Sequence, residues 1–197
     1  MKLALTAACS GSAAVLGEHL DDDLLSHAHP LQFALDLGQL LRLVGQYHTA
    51  CGEGPRATYV TCDTAAGARQ VAIHLLDLGH RRIARIEGAY RATVQLLAER
   101  RDFTAIAAES DMIAVGVLRA LDEHTLCVPQ DLSVTGSDDL QLSAYLRPPL
   151  TTVHRAPAAL GAQAVSTLLS LIDDTAPPSP TVLPVSLVTR DSTADAR

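Results

Sequence analysis

The sequence predicts an α/β protein in which a parallel sheet is flanked by helices. Two short apolar runs, 104–108 (TAIAA) and 132–135 (LSVT), read as buried strands. Between them Ile113, Ala114, Val117, Leu118 and Leu121 recur at helical spacing, with Ser110 placed as the N-cap. The links are short and Pro129 marks the turn. Strand, helix and strand so joined form a βαβ unit, which makes the two strands parallel neighbours.

Both strands run into polar residues: Ser110 and Asp111 after the first, Asp138 and Asp139 after the second. Open α/β sheets bind ligands outside the carboxyl ends of their strands. The reading is therefore a pocket lined from these two ends.

The chain of 197 residues is long enough for one domain or two small lobes around a sizeable core. Its net charge is −7 and Lys2 is its one lysine, a poor basis for holding phosphates, so direct DNA binding by this chain is not expected. Arg81 and Arg82 form the main basic pair, read as cations complementing a helix C-terminus. Residues 1–17 are interrupted by Thr6, Ser10 and Ser12 and read as no signal peptide, and no apolar run is long enough to span a membrane. Cys9, Cys51, Cys62 and Cys127 show no CxxC spacing, which fits reduced thiols and a cytoplasmic location. No GxSxG elbow, Walker loop or metalloprotease helix is present. Asp138 and Asp139 are adjacent, so their side chains diverge. No enzyme activity and no cofactor are expected.

Along the chain, residues 1–57 are the least legible. Asp21, Asp22, Asp23, His27 and His29 concentrate metal-ligand types; the plainer reading is a solvated acidic helix start and a loop ending at Pro30, and no metal site is assigned. Residues 31–41 suit a helix with Phe33, Leu37, Leu40 and Leu41 inward, and 43–46 a short strand. Residues 58–62 read as a strand. Asp63 or Thr64 caps a helix running to 78, whose buried stripe is Ala68, Val71, Ala72, Leu75 and Leu76. Gly79 closes it in the left-handed conformation, His80 reads as a turn residue, and 83–86 is a strand. A helix over 89–100 buries Tyr90, Thr93, Val94 and Leu97. Pro148 and Pro149 force an extended entry into a strand at 150–154. Pro157 suits a first helical turn, whereas Ala156 before it cannot cap. That helix buries Leu160, Ala164, Val165, Leu168, Leu169 and Ile172. A Pro-rich link over 173–180, a last strand at 182–189 and a frayed tail at 191–197 complete the chain.

Six runs in order carry a resemblance: AAGARQVAIHLLDLGHRRIARI, TAIAAESDMIAVGVLRAL, VPQDLSVTGSDD, LRPPLTTVHR, LGAQAVSTLLSLI and VLPVSLVTRDST. Together they resemble the effector-binding region of LacI/GalR-family transcription regulators, which has the periplasmic-binding-protein-like fold of type I. The resemblance implies two lobes with the N-terminal lobe truncated. Residues 1–57 and 154–176 would form the partial N-terminal lobe, and 58–153 and 177–197 the C-terminal lobe. Family members begin with a helix-turn-helix, and residues 1–57 show no such pattern. After Glu87 the family has a loop, an arginine-bearing helix, a further strand and another loop. Here Gly88 leads directly to the helix after that block, so roughly 35 residues are missing, the length of one βα unit with its loops. The arginine that grips effector in the family has no counterpart.

The resemblance implies that Asp138 accepts hydrogen bonds from the hydroxyls of a small polar effector, a sugar or related metabolite. Ser110 stands where the family has an asparagine; as a serine it suits capping better. Arg155 lies where the crossing strand reaches the cleft, where it would hold a polar or anionic effector or face water. The family also implies a homodimer formed through helix faces such as that over 111–124. Two readings follow: a small-molecule-sensing, dimerising domain of such a regulator, or a dimerising remnant that binds nothing.

Overall fold

The structure, a computed structural model, describes residues 34–35, 59–173 and 180–197. The metal-ligand candidates around His27 and His29, the strand expected at 43–46 and most of the Pro-rich link lie outside the described residues.

The body is a parallel sheet. Strands β3 (Ile83–Ile86), β4 (Ala105–Ala108) and β5 (Ser133–Thr135) lie side by side, with Ala84 opposite Ile106 and Ile106 opposite Val134. Successive side chains point to opposite faces, and both faces are covered. Ile83, Ala105 and Ala107 meet Val71 and Leu75 of helix α1 (Thr64–Asp77). Ala84, Ile86, Ile106, Ala108 and Val134 meet Leu96 and Leu97 of α2 (Tyr90–Glu99) and Ala114, Val117 and Leu121 of α3 (Asp111–Glu123). Strands buried on both faces read as unbroken apolar runs, as IARI and AIAA do.

The sheet shows no gap where the resemblance implies a missing βα unit. β3 pairs directly with β4 across all four residues. In doubly wound sheets of order 2-1-3 the second strand lies at the edge, so its loss leaves the first and third hydrogen-bonded as before. The exposed edge of β3 is taken instead by β1 (Ala34–Leu35), antiparallel to Ile83 and Ala84. This corrects the helix expected over 31–41 at those two residues: an open strand edge is a template for extended backbone.

Asp63 caps α1 through a bond from the Ala66 amide, and Gly79 closes it at φ 86°. Arg81 donates to the Leu76 carbonyl, the role expected for a cation at a helix end. The inward face of α1 runs through Gly67, not Ala68. A Cβ at Gly67 would lie 3.1 Å from a methyl of Val153, so the close approach of α1 to the strand at 152–154 needs a glycine. In α2 the buried residues are Thr93, Leu96 and Leu97; Tyr90 stays outside, its hydroxyl on Glu123 of α3 and its ring 5.9 Å from the Arg119 guanidinium. Gly116 lets α3 approach the start of α2, since a Cβ there would sit 2.6 Å from the Tyr90 nitrogen.

β6 (Thr152–His154) pairs antiparallel with β8 (Ser186–Val188), and β2 (Val60–Cys62) pairs parallel with β7 (Thr181–Leu183). The single strand expected at 182–189 is broken at Pro184, which has no N–H to give a ladder. Helix α4 (Pro157–Ile172) starts with Pro157 after an uncapped Ala156 in the left-handed region, φ 46°. Leu160 packs with Val60, Cys62, Leu183 and Val185. These contacts place 60–62 and 181–183 with α4, whereas the boundaries read from sequence put them in the other lobe. The expected inward face of α4 is also corrected: Leu160 and Thr167 are buried, while Val165, Leu169 and Ile172 are exposed.

The tail over 191–197 is docked, not frayed. Val134 donates to the Ser192 carbonyl, Ser192 Oγ donates to the Val134 carbonyl, and Ala196 donates to Leu78. His80 is the buried hub of this contact. Its Nε2 lies 3.0 Å from the Ala194 carbonyl and its Nδ1 2.8 Å from Thr104 Oγ1. A carbonyl can only accept, so Nε2 carries the proton and Nδ1 accepts from Thr104. Burial holds the His80 pKa below its ordinary value. Sequence reasoning took His80 for a turn residue, because its partners are 24 to 114 positions away.

Candidate functional site

The two strand ends are contiguous. The Asp111 amide, one residue into α3, donates to the Ser137 carbonyl at 2.8 Å. Beyond β5 the chain bends sharply, with Asp138 at φ 120° and Asp139 at φ 53°. The Asp138 amide donates to Val153 on β6, which draws the crossing strand against the same end. Gly136 is required at this junction, because a Cβ there would lie 2.3 Å from Asp111 Oδ1 and 2.8 Å from Leu150.

Asp138 and Arg155 face one another. Asp138 Oδ1 lies 3.3 Å from Arg155 Nε, and that nitrogen also donates to Ser137 Oγ at 3.2 Å. Their side chains are 25% and 22% exposed, sunk but reachable. Burial pushes the Asp138 carboxyl above its ordinary pKa; the Arg155 charge opposes this and the Asp111 charge adds to it. The pair offers carboxylate acceptors beside guanidinium donors, a combination suited to hydroxyl groups.

Ser110 is the N-cap of α3. Its Oγ accepts from the Ile113 amide at 3.2 Å, the role its shortness favours. Accepting leaves the hydroxyl its own proton to donate. So the structure brings the expected Asp138 and Arg155 into contact, and places Ser110 on the adjoining strand end with a capping duty.

Asp139 is engaged differently. It accepts from Arg190 at 2.6 Å and His154 Nδ1 at 2.9 Å. Burial raises its pKa, but the bonds from Arg190 and His154 outweigh this and hold the carboxyl below its ordinary value. Asp139 thereby ties the loop after β5 to β6 and to the end of β8. Cys62 approaches from the α4 side, its thiol 3.1 Å from the Arg155 carbonyl. Asp111 was read from sequence as a polar strand-end residue but not as a buried acceptor, and His154 and Arg190 were missed, since neither carries a local signal of a partner. Among the described residues no group of His, Cys, Asp and Glu side chains is arranged to hold a metal.

Comparison with known proteins adds three findings. A match to the periplasmic binding protein-like domain family covers residues 86–193. Among curated proteins, the chain is 46% identical over 112 residues to the HTH-type transcriptional regulator MalR of Streptomyces coelicolor, covering 56% of this chain and 32% of that one. It is 34% identical over 180 residues to an uncharacterized HTH-type transcriptional regulator in the aml 5′ region of Streptomyces limosus, covering 71% of this chain and 51% of that one. Since 71% of 197 residues is about 140, roughly 40 of the 180 aligned positions face no residue here. Among solved structures, the lac repressor dimer bound to operator and an anti-inducer superimposes with a TM-score of 0.66 at 29% identity, covering 69% of this chain and 60% of that one. The complex of the transcriptional regulator CelR with cellobiose gives 0.67 at 26% identity, covering 73% and 56%. The chain thus spans about a third of one of these curated relatives and about half of the other.

Proposed function

Since this chain belongs to the periplasmic binding protein-like domain family, in the form found in LacI/GalR-type regulators, we propose that it is the effector-sensing and dimerising domain of such a regulator. The effector is a small polar molecule, a sugar or related metabolite. Asp138 accepts from its hydroxyls, Arg155 donates, and Ser110 supplies a further hydroxyl at the adjoining strand end. One observation carries the reading: a partly exposed carboxylate and guanidinium 3.3 Å apart at the contiguous ends of parallel strands, in a chain similar to a regulator solved with cellobiose. Effector would act by favouring one disposition of the segments that meet at Cys62, Arg155 and Pro184, which requires unequal affinity for two states. The domain is a sensor and not a catalyst, and its place is the cytoplasm; no helix among the described residues is long and apolar enough to cross a membrane.

Thermal-shift and calorimetric screening of the whole chain against mono- and disaccharides and nucleosides tests the proposal. Stabilisation by a sugar, abolished by Asp138→Ala, supports it. A folded sample that no compound stabilises refutes it and favours the second reading, a dimerising remnant. That reading is favoured by the roughly 40 positions of the relative without a counterpart, because a cleft needs two walls.

The dimer is supported by a patch of exposed apolar side chains: Met112 on α3, and Leu142 and Tyr145 beside it. Such a patch is a candidate interface. Sedimentation at micromolar concentration should show a dimer. A gel shift at low salt with the chain alone should show no sequence-specific DNA retention, in keeping with its net charge of −7.

A further inference from the structure

We infer that the Asp111 carboxylate is a positioning residue that fixes the loop of the effector site and the apolar patch as one unit. The inference rests on the sensing role proposed above for what those two surfaces do. Asp111 is 1% exposed, the most deeply buried acid among the described residues. Its Oδ2 accepts from the Leu140 amide at 2.8 Å and from Ser143 Oγ at 2.5 Å. Its Oδ1 accepts from Thr152 Oγ1 on β6, and its amide holds the Ser137 carbonyl. One residue therefore grips the chain before Asp138, after Asp139, and on the crossing strand.

The partners define two directions. Ser137 and Thr152 frame the loop that carries Asp138, which is bonded to Val153 next to Thr152. Leu140 caps the 3-10 turn Gln141–Ala144 and Ser143 lies within it; Leu142 in the turn and Tyr145 at its end, with Met112 next to Asp111, form the exposed patch. The charge at Asp111 is met by hydroxyl and amide donors and by the N-terminus of α3, as a buried carboxylate without a paired cation requires. An acid serves all three donors at once. Asparagine would keep its oxygen for Leu140 and Ser143 but turn its N–H₂ toward Thr152, whose hydroxyl would then have to accept. A longer side chain would meet Gly136, where even a Cβ is excluded by Asp111 Oδ1 at 2.3 Å.

Hydrogen exchange on the intact chain, read residue by residue, provides the test. Asp111→Asn should speed exchange at the Leu140 and Asp138 amides about tenfold, the scale of one lost charged hydrogen bond. The Ile106 and Val117 amides should stay within about twofold. Ser143→Ala and Thr152→Val, which leave Asp138 and Arg155 unchanged, should produce the same local pattern more weakly, and they carry the test if Asp111→Asn does not fold. In each variant the cellobiose dissociation constant and the dimer dissociation constant should rise together. Unchanged exchange over 137–145, exchange that rises uniformly across the sheet, or weakened dimerisation with cellobiose affinity intact would overturn the inference. If the unsubstituted chain binds no sugar, the sensing proposal fails, while the exchange pattern and the dimer constant still decide the role of Asp111.

Discussion

The body of the molecule and the described elements β2, β7 and α4 are both rich in apolar residues yet bury very different amounts of them. In the body, Ile106, Val117, Leu121 and Val134 are each fully buried. In α4, sixteen residues without one charge, only Leu160 and Thr167 are buried, and Ile172 is 66% exposed. Three strands with helices on both faces close around a core. Among the described residues, the two strands and one helix of the second region do not. Hydrophobicity is a property of a segment, whereas burial depends on what is there to cover it.

Core truncations should separate the two regions most sharply. Leu121→Ala in the body should cost about 2–5 kcal/mol in urea unfolding, by lost transfer energy plus a cavity. Leu169→Ala on the exposed side of α4 should cost under about 0.5 kcal/mol. Comparable losses would mean that α4 is covered in solution and would break the contrast.

Gly116→Ala probes how tightly the body is packed. The added methyl would sit 2.7 Å from Ala89 Cβ and 2.6 Å from the Tyr90 nitrogen. Unfolding should show a loss of about 1–3 kcal/mol, against no comparable change for Gly161→Ala in α4, where nothing lies within 4 Å.

Acid should loosen the body through the tail. Burial lowers the folded-state pKa of His80 below its ordinary value of 6.5, the bond to Ala194 and the Asp195 charge opposing it and His74 adding to it. His74, hydrogen-bonded to Thr193, is lowered as well, again chiefly by burial. Below pH 6.5 the unfolded chain therefore takes up protons that the folded chain resists, so stability present above that pH is lost as pH falls. Thermal unfolding should drop between pH 7.5 and 5.5, and less so in His80→Gln, which cannot titrate. An unchanged pH profile in that variant would assign the loss to other groups.

The smallest effect should come from Cys62→Ser, where the two regions meet. A hydroxyl can keep the bond to the Arg155 carbonyl, now 3.1 Å from the thiol. Local exchange at Arg155 and Ala156 should change less than at any core substitution above.

The legible part of the structure was the repetitive part. The βαβ unit from 104 to 135 and the Ser110, Asp63 and Gly79 helix ends follow from periodicity and capping chemistry; the resemblance singled out Asp138 and Arg155, which the fold brings within 3.3 Å. The parts that were missed depend on distant partners. Tyr90 fits an inward stripe but finds Glu123; Ala68 fits one but Gly67 meets Val153. The tail looked frayed because its binding groups, His80, Ser133 and Leu78, lie far back in the chain. Asp111 was read only as a polar residue at a strand end, because its three donors arrive from 29 to 41 residues away.

The sequence by itself determined the α/β class and the two neighbouring parallel strand ends, since these are encoded in spacing along the chain, and the wording of its motifs carried the family. Only the tertiary structure decided that β3 pairs directly with β4, that the last residues are pinned against the body, and that one buried aspartate bonds both the loop after β5 and the crossing strand. Those outcomes depend on which surfaces meet in space, and local hydrophobic and capping preferences are indifferent to that.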